Sequence, residues 1–71
     1  MTDLNDRLLD AHARGDRAGL VRLYEEAADC AASEPETGFF LTQAYVFALE
    51  IGHVRASTLR ERLVAMGRES A

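Results

Sequence analysis

The chain has 71 residues, a formal net charge of −4 and a single cysteine, Cys30. This length folds one small domain, residues 1–71, near the lower limit at which a chain supports its own core. The lone cysteine excludes an internal disulfide, and the acidic balance argues against nucleic acid as the main partner. The acids lie early: residues 1–36 hold nine acids and four arginines, and residues 37–71 hold three and four. All eight basic residues are arginine, as GC-rich coding of a small bacterial protein would produce. The opening segment MTDLNDRLLD has acids where a secretory leader needs a basic start and an apolar run. The greasiest stretch, FFLTQAYVFALEIG at 39–52, is shorter than the roughly 20 apolar residues that cross a bilayer. A cytoplasmic location without a membrane partner is therefore expected.

Alternating apolar runs and hairpin dipeptides are missing, while alanine and leucine abound, so the expected fold is all-α. Glycine, serine and proline divide the chain into four short helices arranged as two antiparallel hairpins. Helix 1 is predicted from Asp3 to Arg14, capped by Thr2 or Asp3. Its apolar face holds Leu4, Leu8 and Ala11, with His12 at the edge. Asp3–Arg7 and Asp10–Arg14 have ion-pair spacing, and Asp6–Asp10 is repulsive. Gly15 supplies the left-handed residue that ends a helix, and Asp16 caps the next.

Helix 2 is predicted from Arg17 to Ala32. Leu20, Leu23, Tyr24, Ala27 and Ala31 form its apolar face, Arg22, Glu25, Glu26 and Asp29 face water, and Cys30 is a small packing residue. In SEPE, Ser33 and Glu36 have capping-box spacing, and Pro35 suits a first turn where no N–H is needed. Helix 3 should run from Glu36 to Ile51, ended by Gly52, and helix 4 from Val54 to Met66. Helix 4 carries Ala56, Leu59, Leu63 and Met66 on one stripe, with Arg55, Glu61, Arg62 and Arg68 outside it.

Helix 3 is apolar around more than half its circumference. At about 100° per residue, Phe40, Ala44, Phe47, Ala48 and Ile51 point one way, with Leu41 and Tyr45 beside them. So wide an arc implies neighbours on several sides, which makes helix 3 the centre, covered by helices 2, 4 and 1. One stripe is left over: Phe39, Gln43, Val46 and Glu50. Two apolar and two polar residues at this spacing make a candidate partner-binding surface. A two-fold homodimer would bring the stripes together with Gln43 and Glu50 at the margin. The competing arrangement folds helix 1 across the stripe and closes the monomer.

Two segments, DAHARGDRAG and FALEIGHVRA, each place alanine four residues before glycine, at Ala11/Gly15 and Ala48/Gly52. Their 37-residue offset is close to the period of helical solenoids. Within GDRAGLVRLYEEA, the positions of Gly15, Leu20, Tyr24 and Ala27 resemble the turn and second helix of a tetratricopeptide repeat. That resemblance implies stacked hairpins and protein binding; a plain four-helix bundle remains the alternative fold.

A second segment, ALEIGHVRASTLRERLVAMG, resembles the helix-turn-helix of the factor-for-inversion-stimulation type. The resemblance rests on Ala48, Gly52, Thr58, Leu59, Arg60, Leu63 and Gly67. It implies a DNA-binding regulator whose helix 54–66 presents Arg55, Arg60 and Arg62 to the major groove.

Catalytic groupings with diagnostic spacing are missing. His12 and Asp16 are four apart but separated by Gly15, His53 sits in a turn where it can help cap helix 4, and adjacent Glu25 and Glu26 diverge. Neither a phosphate loop nor a metal-ligand set occurs. A non-enzymatic protein-interaction module without cofactor or metal is the expectation, acting as a homodimer or accessory subunit. A carrier binding a small molecule between Phe40, Phe47 and Leu63 is the remaining class.

Overall fold

A computed structural model of the chain describes residues 3–67 and consists of four α-helices. They are α1 (Leu4–Arg14), α2 (Arg17–Asp29), α3 (Glu34–Ile51) and α4 (Ala56–Ala65). No strand occurs among the described residues. Each of the first three helices begins at a side-chain cap that was readable in advance. Asp3 Oδ1 accepts the Asp6 N–H at 2.8 Å, Asp16 Oδ1 accepts that of Gly19 at 3.0 Å, and Ser33 Oγ accepts that of Glu36 at 3.4 Å. These bonds satisfy amides that a helix N-terminus leaves without partners.

The 37-residue echo has a local cause. Gly15 and Gly52 take left-handed conformations, φ 65° and 61°. After α1, the Asp16 N–H returns to the Ala11 carbonyl at 2.9 Å and the Gly15 N–H to that of His12 at 3.1 Å. After α3, the His53 N–H returns to Ala48 at 2.8 Å and the Gly52 N–H to Leu49 at 3.3 Å. Both turns are Schellman motifs, which require a glycine-like φ one residue past the helix. The repeated Ala-x-x-x-Gly is the imprint of that turn.

Three boundaries differ from expectation. α3 starts two residues early, at Glu34 directly after the expected Ser33 cap, with Pro35 in the first turn as expected. α2 stops at Asp29 because its last amide-to-carbonyl bonds close at Cys30, short of Ala32. α4 starts at Ala56, leaving Val54 85% exposed, and it lacks a side-chain cap. His53 acts just ahead of it, its Nδ1 accepting the Arg55 N–H at 3.0 Å.

The core is built by α2, α3 and α4. Val21 and Ala28, Leu41, Ala44 and Ala48, and Leu59 and Leu63 form one buried cluster, with Tyr24, Phe40, Tyr45, Phe47, Ala56 and Met66 packed against it. The alanines allow the backbones of α2 and α3, the most extensively packed pair, to approach closely. α4 docks on α3, and α1 docks on α2. The expectation that helix 1 also covers helix 3 is corrected: the two backbones do not approach each other. Ala11, buried on α1, belongs to its packing face, while Leu9 stays exposed. The described chain measures 36 × 29 × 13 Å, a slab with two broad faces. None of its described helices is long and apolar enough to cross a membrane.

Candidate functional site

The outer side of α3 leaves apolar side chains uncovered. Leu41, Ala44 and Ala48 turn inward and are fully buried, whereas Phe39 and Val46 remain 56% and 44% exposed. Glu50 is exposed, and its Oε1 lies 3.5 Å from Arg17 Nε at the start of α2. Gln43 is partly buried, and its side-chain amide makes no hydrogen bond to any described residue. All four stripe residues therefore share one side of α3, and α1 does not close over them. Ile51, expected inward, is exposed at the last turn, beyond the reach of α2 and α4 packing.

A chain of ring contacts runs inward from that stripe. Phe39 touches Phe40, with ring centres 5.4 Å apart; Phe40 touches Tyr24 at 6.2 Å; Tyr24 stacks on Phe47 at 6.0 Å; and Phe47 meets the His12 edge at 5.9 Å. These spacings lie within the range of favourable aromatic pairs. His12 does not turn to Asp16: its Nε2 lies 3.0 Å from the Tyr24 hydroxyl. A contact across 12 residues could not be seen in local spacing. The ring chain joins the outer side of α3, through α2, to α1. Beside it, Leu4, Leu8, Ala27, Ala31 and Phe40 line an apolar hollow of about 270 Å³. Cys30 is exposed on its wall, not packed inside, because α2 ends there. Leu63 lies in the core and not in this hollow, so the expected Phe40–Phe47–Leu63 pocket does not form.

A polar network occupies a different part of the molecule. Glu25, expected to face water, has a side chain only 13% exposed and is held by Arg55, just ahead of α4, and by Arg62 within it. Arg55 Nε donates to Glu25 Oε1 at 3.1 Å, and its NH2 group donates to Oε2. Arg62 donates to Glu25 Oε2 at 3.4 Å and to Asp29 Oδ1 at 2.8 Å. The hydrogen bond and charge of Glu25 raise the Arg55 guanidinium above its ordinary value. Arg55 and Arg62, which a DNA-reading helix 4 would present to the groove, are thus engaged with α2 carboxylates. Arg7, expected to pair with Asp3, instead reaches Glu26 of α2 at 2.7 Å, which ties α1 down, and Asp10–Arg14 pairs as expected at 3.0 Å. Among the described residues no three His, Cys, Asp or Glu side chains converge as metal ligands would.

No family model matches this chain, and no curated protein or solved structure is similar to it.

Proposed function

We propose that this chain is a small non-enzymatic protein-interaction module that docks a partner on the outer side of α3. The observation that carries this reading is the exposure of Phe39 and Val46 on the most hydrophobic helix, continuous with the ring chain to His12. Apolar side chains left in water on the most hydrophobic helix are candidates for contact with a partner. Aromatic rings are also the side chains that interfaces favour, because they bury much area at small rotamer cost. The tetratricopeptide-like turn of Gly15, Leu20, Tyr24 and Ala27 is in keeping with that role. Under this reading binding proceeds by burial of apolar area, with Gln43 and Glu50 setting orientation, and no bond is made or broken.

In-cell photocrosslinking tests this. A benzophenone side chain at position 39 is expected to give protein adducts of discrete mass, whereas the same group at Ala13, exposed on α1, gives none. Equal adduct patterns at the two positions, or none at either, would remove the docking role from α3.

A further inference from the structure

We infer that the occupant of this face is a second copy of the chain, with the two α3 helices antiparallel across a two-fold axis at Gln43. The inference rests on the docking role proposed above and names its partner. The pattern on α3 reads the same in both directions from Gln43: Glu36, Phe39, Phe40, Gln43, Val46, Phe47, Glu50. Along this seam Glu36, Gln43 and Glu50 stand seven residues apart, with Phe39 and Phe40 in one gap and Val46 and Phe47 in the other. Seven-residue recurrence keeps one seam of a helix facing a neighbouring helix. A two-fold interface must be complementary to itself, and this set is. In an antiparallel pair Phe39 faces the second copy's Phe47, and Phe40 faces its Val46.

The polar members fit the same arrangement. On the axis the two Gln43 amides meet, and each carries a donor and an acceptor that no described residue of its own chain engages. That centre differs from the marginal place the stripe alone gives Gln43. A single polar position within an apolar seam fixes register, because any slip buries the amide unpaired. At each end Glu36 lies opposite the second copy's Glu50, a like-charge pair relieved by Arg17, which already sits beside Glu50. Glu34 and Glu36 make the start of α3 acidic, so Arg17 of one copy meets acids of the other.

Single cysteines in a Cys30→Ser background test the geometry under mild oxidation, with helicity monitored by circular dichroism. Gln43→Cys is expected to form a disulfide dimer with itself. Glu36→Cys and Glu50→Cys are expected to crosslink when mixed and to stay single when alone; this pair decides the matter if Gln43→Cys fails to fold. Self-crosslinking of Glu36→Cys alone would mean parallel pairing, and crosslinking of Ala13→Cys at the same rate would mean random collision; either overturns the inference. Failure of every pair overturns it too. If position 39 still yields adducts of another mass in cells, that failure removes the second copy and leaves the docking role standing.

Discussion

Leu59→Ala is expected to destabilise the protein by about 2–5 kcal/mol, the range for truncating an enclosed leucine and leaving a cavity. Leu59 is completely buried, and with Leu63 it joins α4 to the core of α2 and α3. Two features place this substitution near the top of that range. α4 has only ten residues and no side-chain cap, and isolated helices of that length are marginal in water. Packing therefore holds α4 in place, helped by the Arg55 and Arg62 contacts with Glu25. A chain of this size has a total stability of roughly 4–10 kcal/mol, so the variant is expected to be largely unfolded at modest temperature. Urea denaturation followed by circular dichroism measures the loss. A change below about 1 kcal/mol would mean that α4 is not docked through Leu59.

Phe47→Ala is expected to cost about 2–3 kcal/mol, below the about 3–5 kcal/mol of a fully enclosed ring. The ring packs against the core cluster and stacks on Tyr24, yet it is only partly buried, so less apolar area is lost. Phe39→Ala, by contrast, is expected to change the unfolding of the single chain by no more than about 0.5 kcal/mol, because most of that ring already faces solvent. The pair separates a ring that also packs against the core from one that mostly faces solvent. Equal losses at 47 and 39 in dilute protein would show that both rings serve the fold.

What could be read in the sequence follows the range of the interactions. Capping by Asp3, Asp16 and Ser33 and the stops at Gly15 and Gly52 act over three to five residues, so residue type and spacing located them. The inward turn of Ala44 and Ala48 and the outward turn of Phe39 and Val46 followed from helical periodicity alone. Glu25 was misplaced because its partners, Arg55 and Arg62, lie 30 and 37 residues away, and only the fold brings their long side chains across to α2 to enclose its carboxylate. The same holds for His12 and Tyr24. An i, i+4 rule offered Asp16, but the tertiary packing of α1 on α2 supplied a hydroxyl. The position of α1 was missed for a related reason: its contacts with α2, such as Arg7–Glu26 across 19 residues, lie beyond the reach of local spacing. The stripe itself was visible, whereas its continuation through Phe40, Tyr24 and Phe47 needed the fold.

Methyl-resolved NMR over a dilution series tests the central claim most directly, since it locates any contact between copies. From hundreds of micromolar down to a few, the Val46 methyls on the outer side of α3 are expected to shift with concentration. The buried methyls of Leu59 and Leu63 should stay fixed. Methyls that keep their positions throughout the range, or shifts centred on Leu9 and Val54 with Val46 unchanged, would contradict the claim that α3 docks a second copy.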